Sequence, residues 1–193
     1  MIYKFKVDDN LYNKLLKYSE DKSIKHNKNL AGNIEEEYSL NKYVKDIEPF
    51  ILQHLLLIEP LRKYLTQLDI LTKPLPLTLN SLWINFQKKY EFNPIHNHSG
   101  VFSFIIFLKI PYIMKEQELI SPGINSNNNQ SGKVSFFYLD SDREGSINEE
   151  TLPVDKNWEG TGVFFKSSLN HCVYPFYTEG TRITASGNIH FNT

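Results

Sequence analysis

His96 and His98 stand two apart in the segment FNPIHNHSG. An extended backbone puts residues i and i+2 on the same face, so two imidazoles spaced this way can grip one ion at roughly 2 Å each. A lone His-x-His is a weak motif, and its setting gives it weight. Upstream runs WINFQKKYEFNPI, aromatic and rich in amides. Downstream, SGVFSFIIFLKIPY reads as a long buried strand that would anchor the pair. Much later His171 opens another strand, a turn around Glu179 and Gly180 reverses the chain, and Arg182 begins the next. Such a hairpin can bring a third imidazole and a guanidinium into one barrel mouth. The fork of an arginine is the side chain expected where a carboxylate needs a permanently charged, two-pronged partner. The remaining histidines read differently: His26 as a surface residue of a polar loop, His54 as packed or hydrogen-bonded within an apolar helix, and His190 as structural.

Positioning these groups falls to two halves with different periods, changing near residue 75. Ile2 to Val7 alternates weakly, as an edge strand would. Asp8 or Asp9 then offers an N-cap before Leu11, Leu15 and Tyr18 at helical spacing. From Asn41 to Leu68 apolar residues recur every three to four, with Pro49 and Pro60 expected to break the stretch into shorter helices. After KPLPLTLN the pattern turns to strands: 79–87, 101–110, 134–139, 162–166, 171–177 and 181–191, rich in Phe, Ile, Val, Tyr and Thr. Residues 121–133 and 140–150 read as long polar loops, and Glu35 to Glu37 as a solvated helix start. The expected fold is mainly β with N-terminal helices (α+β), a double-sheet jelly roll or double-stranded β-helix. A chain of 193 residues is read as a single domain, with 1–75 a mostly helical support and 76–193 the jelly-roll core.

Composition narrows the function classes. A net charge of −1 offers no bulk basic field for a nucleic acid or a membrane surface. The single cysteine, Cys172, rules out an intrachain disulfide and fits a reducing, cytoplasmic setting. No signal peptide is read at the N-terminus, and the apolar run Leu55 to Ile58 is too short to span a bilayer. Cys172 and His171, adjacent on a strand, face opposite ways and make a poor nucleophilic pair. No Walker loop or dinucleotide glycine fingerprint is present.

The stretch from Trp83 to Pro111, followed by G-x-x-F-x(5)-H-x(10)-R ending at Arg182, resembles the 2-oxoglutarate/Fe(II)-dependent dioxygenase superfamily, most nearly its phage and marine bacterial members. The resemblance spans about residues 80–193 and leaves the helical part uncovered. It implies a hydroxylase that couples oxidative decarboxylation of 2-oxoglutarate to oxidation of a substrate, with Fe(II) and 2-oxoglutarate as cofactors. Onto its pattern fall His96, His98 and His171 as metal ligands and Arg182 as the partner of the 2-oxoglutarate C5 carboxylate. Asn85 and Gln87 fall where one branch touches the co-substrate, and Asn188 where it carries a further polar contact. One position departs: the superfamily has a carboxylate where this chain has His98, whereas the usual iron face is two histidines and one carboxylate. Asp140 and Asp142 read as a solvated acidic turn rather than as the source of the missing anion. Two other readings keep the barrel: a cupin-like three-histidine dioxygenase without 2-oxoglutarate, and a non-enzymatic binding or virion-associated module. The substrate, whether protein, nucleobase or metabolite, and the oligomeric state are left open.

Overall fold

The computed structural model describes residues 2–66, 76–120 and 122–192; the expected helix end at Leu68 lies outside them. In chain order the elements are β1 (Ile2–Lys6), α1 (Asp9–Ser19), β2 (Glu36–Ser39), α2 (Val44–Leu57), α3 (Glu59–Thr66), β3 (Leu77–Lys88), β4 (Asn93–His96), β5 (Phe102–Lys109), α4 (Met114–Glu118), β6 (Val134–Leu139), β7 (Ile147–Leu152), β8 (Thr161–Lys166), β9 (Asn170–Val173) and β10 (Thr181–Phe191). Six strands form one sheet in the order β1-β8-β5-β10-β3-β2, and four form a second in the order β4-β9-β6-β7. The pairings within both sheets are antiparallel. The expected double-stranded β-helix is therefore the fold, with helices beside it.

The large sheet separates two cores, and its central strands explain their own sequence. In β5 (FSFIIFLK) Phe102, Phe104, Ile106 and Leu108 face the helices, where they meet Leu11, Leu15, Ile47, Ile51 and Leu55. The alternate residues Ile105 and Phe107 face the small sheet with Val134, Phe136, Val163 and Phe165. A strand covered on both faces reads as a continuous apolar run rather than an alternating one.

The helices form for local reasons. The Asp8 side chain caps α1 by accepting the Leu11 N–H at 2.9 Å, and Leu11 and Leu15, one turn apart, are fully buried. In α2, Ile47, Ile51 and Leu55 are buried at four-residue spacing. Contrary to expectation, Pro49 does not break this helix. Pro49 and Lys45 lie on its exposed side, so the carbonyl that loses its partner meets solvent while the buried stripe holds the helix to the sheet. Pro60 is the second residue of α3, where a backbone N–H would have no helical partner anyway.

Four further expectations are corrected. Residues 147–150, read as the end of a loop, belong to β7, which pairs with β6. The strand expected over 171–177 ends at Val173, because Tyr174 N–H leaves the ladder for Lys133 O. Glu35 to Glu37 do not start a helix: β2 pairs with β3, with Glu37 opposite Asn85. The N-terminal part thus supplies both edge strands of the large sheet. His26, expected at the surface, is half-buried beside Trp83. Among the described residues no helix is long and apolar enough to cross a membrane.

Candidate metal and co-substrate site

The inner face of the large sheet is polar where β2, β3 and β10 adjoin. Register sets Arg182 opposite Gln87, Thr184 opposite Asn85 and Ser186 opposite Trp83, and extends the second row to Glu37. On the small sheet His96 and His171 are direct partners across β4 and β9. His98 lies two residues beyond β4, its backbone N–H donating to Ser167 O at 2.9 Å. These groups line one pocket between the sheets, together with Leu30, Ile34 and Asn93. Gly180 makes the hairpin before Arg182 possible: its φ is +117°, and a Cβ there would run into Pro111.

The structure brings His96, His98 and His171 together, with one ring nitrogen of each within 4.8 Å of the others. Atoms that close share a point about 2.8 Å from each at most, so shifts of under about 1 Å would reach the 2.0–2.1 Å of metal–imidazole bonds. Two of the rings are already oriented. His96 Nδ1 donates to Pro94 O at 2.7 Å and His171 Nδ1 to Leu169 O at 3.0 Å, leaving Nε2 with its lone pair for an ion. Phe136 stacks on His171 and Phe165 meets it edge-on, while Trp83 tilts against His98.

The electrostatics suit ligation. Burial, then the neighbouring His96, holds His171 down at about 3; burial and His96 likewise hold His98 at about 4. Burial also lowers His96. The imidazoles are therefore neutral near pH 7, and an ion need displace no proton. Asp140 and Asp142 do not join them. Both belong to the turn after β6, where Asp140 pairs with Arg143. No carboxylate completes the cluster among the described residues.

Arg182 is 1% exposed, the largest fully buried side chain among those described. It does not pair with Glu179, which takes Lys89 instead. Its donors meet neutral oxygens only: Nε and Nη2 both reach Gln87 Oε1, Nη1 reaches Tyr112 Oη and Gly132 O at 2.8 Å each, and Nη2 reaches Tyr174 O at 3.4 Å. A buried cation without an anion is costly. Gln87 occupies the fork that a carboxylate would take, so the guanidinium is not free as expected but held ready by the amide.

The other expected residues divide. Asn85 lines the pocket, its amide donating to Thr184 Oγ1 at 3.2 Å while its Oδ1 has no partner among the described residues. Asn188 stands apart from the pocket lining: its Oδ1 accepts from Ser103 Oγ at 2.8 Å, and Ser103 Oγ bonds Ser167 Oγ at 2.9 Å. Because Ser167 O receives the His98 N–H, Asn188 braces the segment that carries His98. Tyr112 and Glu37 were missed. Nothing in the sequence around Tyr112 marks it. For Glu37 the signal was the alternation of Tyr38 and Leu40, both packed toward the helices, which assigns Glu37 and Ser39 to the opposite face.

Residues 81–188 match the model of a family described as 2OG-Fe(II) oxygenase. No curated protein matches the chain. Among solved structures, HygX from Streptomyces hygroscopicus, crystallised with nickel and 2-oxoglutarate, is similar with a TM-score of 0.57 at 10% identity, over 99% of this chain and 83% of that one. AviO1 from Streptomyces viridochromogenes gives 0.52 at 12% identity, over 99% and 89%. A prolyl-4-hydroxylase from Pseudomonas putida gives 0.50 at 13% identity, over 100% and 93%. At such identities the likeness is one of fold.

Proposed function

Because the chain belongs to the 2OG-Fe(II) oxygenase family, we propose that His96, His98 and His171 hold its Fe(II) and that Arg182 receives the C5 carboxylate of 2-oxoglutarate. One observation carries this reading: a buried arginine without an acidic partner among the described residues and three neutral imidazoles line the same pocket. Bound there, Fe(II) supplies the redox chemistry that couples decarboxylation of 2-oxoglutarate by O₂ to hydroxylation of a substrate. The donor set fits the ion, since imidazole nitrogen suits iron. It differs from the usual two histidines and a carboxylate in leaving the ion's double positive charge undiminished, which favours an anionic co-substrate.

The remaining tasks fall to this chain's own residues. Pro94 O and Leu169 O keep His96 and His171 in the tautomer that offers Nε2. Phe136 and Phe165 shield His171 from water. Gln87 and Tyr112 aim the guanidinium, and the Gln87 amide turns aside when a carboxylate takes the fork. Asn85, beside Thr184 in the pocket wall, offers its unpartnered oxygen to whatever enters. Asn188 acts at one remove, through Ser103 and Ser167. Residues 1–75 and 76–193 work as one unit, since β2 completes the pocket wall.

The test is 2-oxoglutarate binding to the Mn(II)-loaded protein by calorimetry. Charge-assisted bonds to a carboxylate contribute on the order of 1.5–3 kcal/mol, so Arg182→Ala should weaken binding at least about tenfold while Mn(II) still binds. Equal affinity in the two proteins would remove Arg182 from the co-substrate site.

A further inference from the structure

The pocket has a second pole that the co-substrate reading leaves unused. The glutamates of β2 alternate in face. Glu36 points outward and pairs with Lys22 and Lys88, and Glu35, just before the strand, also takes Lys88. Glu37 points inward, is 0% exposed and lines the pocket with the three histidines. Among the described residues its Oε1 has no partner, and neither has Oδ1 of Asn93 or of Asn85 on the same lining. The contact its other oxygen makes, from Asn27 Nδ2, is long at 3.4 Å. Unpartnered buried oxygens are rare, because each forfeits its hydration without return.

Two of these oxygens, on Glu37 and Asn93, also converge. A Cβ added to Gly32 would crowd both Glu37 Oε1, at 2.8 Å, and Asn93 Oδ1. Glycine at this place therefore keeps open the space the two oxygens share. Leu30 and Ile34, from the same segment, add apolar wall. Across the sheet Glu37 is two strands and two residues along from Arg182, roughly 12 Å at ordinary strand spacing and rise. The pocket is thus bipolar, with a cation at one end and a carboxyl flanked by acceptors at the other.

Resting on the proposed assignment of the histidine and arginine site, we propose that the Glu37 end binds a protonated nitrogen of the primary substrate, an ammonium or guanidinium on a short aliphatic stem. An anionic or purely apolar substrate would leave the acceptor oxygens bare. A charged nitrogen gives each of them a donor and gives Glu37 the counterion that no described residue supplies. Burial, and then the charge of Glu91, pushes the Glu37 carboxyl up to about 7, as expected where the counterion must come from outside.

The test compares two probes of nearly equal shape, n-butylguanidinium and neutral n-butylurea, by calorimetry on protein loaded with Mn(II) and 2-oxoglutarate. Neither probe carries a carboxylate that Arg182 could capture. The expected result is at least a tenfold preference for the guanidinium, lost in Glu37→Gln. Equal affinity for the two probes, or a preference that survives in Glu37→Gln, would overturn the proposal. Should Glu37→Gln fail to fold, Gly32→Ala, which fills the shared space, is expected to lose the same preference, and retention there would overturn it equally. A capped Gly-Arg-Gly peptide separates the sources of the nitrogen: tighter binding than n-butylguanidinium assigns it to a polypeptide side chain, and weaker binding to a small molecule. Mn(II) occupancy is read in the same samples by electron paramagnetic resonance. A wild type that holds no Mn(II) fails the histidine assignment, while the probe comparison is still read on the metal-free protein.

Discussion

Replacing Glu37 by Gln should make the ligand-free protein more stable, and only at high pH. The carboxyl ordinarily titrates at 4.5 and is raised to about 7 by burial and by Glu91. The folded state thus binds this proton more tightly than the unfolded chain does. Its contribution to stability is fully present below 4.5 and is lost as pH rises through 7. A displacement of that size corresponds to about 3 kcal/mol once the group is charged, and relaxation of the surrounding dipoles lowers the realised value to about 2 kcal/mol. Glutamine keeps the shape and drops the charge, so Glu37→Gln should exceed wild type by about 2 kcal/mol at pH 8 and by almost nothing at pH 4.5. The histidine terms are common to both proteins and cancel in the difference. For a domain of this size that gain raises the melting temperature by roughly 4–8 °C. Urea denaturation between pH 4.5 and 8.5 reads the difference directly. A variant no more stable than wild type at pH 8, or equally stabilised at both ends of the range, would refute the claim that Glu37 is a buried carboxylate without a counterion. Natural sequences keep such a cost where function needs it.

Two other outcomes follow from the same geometry. His98 and His171 are held near 4 and 3 by burial and His96, against about 6.5 in the unfolded chain. Their contribution to stability is full above 6.5 and is lost as the pH falls toward those values, so metal-free Glu37→Gln, in which the opposing Glu37 contribution is removed, should weaken steadily on acidification below pH 6.5; a flat urea midpoint for that variant from pH 6.5 to 4.5 would contradict this. Asn188→Ala cuts the chain through Ser103 and Ser167 that braces His98, and should lower Mn(II) affinity about tenfold, as outer partners of ligands commonly do. Unchanged Mn(II) affinity would return Asn188 to an ordinary sheet residue.

Much of this architecture is legible in the sequence, and what is not has physical causes. Strands over 134–139 and 181–191 were bounded correctly because turn residues flank dense β-branched and aromatic runs. The spacing of His96 and His98 was readable because an extended chain repeats every two residues. β7 hid because INEETL is polar and half-exposed, a strand held by its ladder to β6 more than by burial. β2 hid because its four residues begin with charges, and its inward glutamate breaks the rule that buried faces are apolar. Pro49 misled because local propensity was weighed without the sheet that holds α2 in place. The fork of Arg182 was expected to be open, and no sequence pattern shows that Gln87, directly opposite on the neighbouring strand, fills it.

The central claim is that His96, His98 and His171 form the metal centre of a 2-oxoglutarate oxygenase, and its most direct test is succinate release. Wild-type protein supplied with Fe(II), O₂ and 2-oxoglutarate should form succinate, and His171→Ala should form none while remaining folded. Succinate from His171→Ala at the wild-type rate would contradict the claim, and so would a wild-type protein whose succinate release is the same with and without added Fe(II).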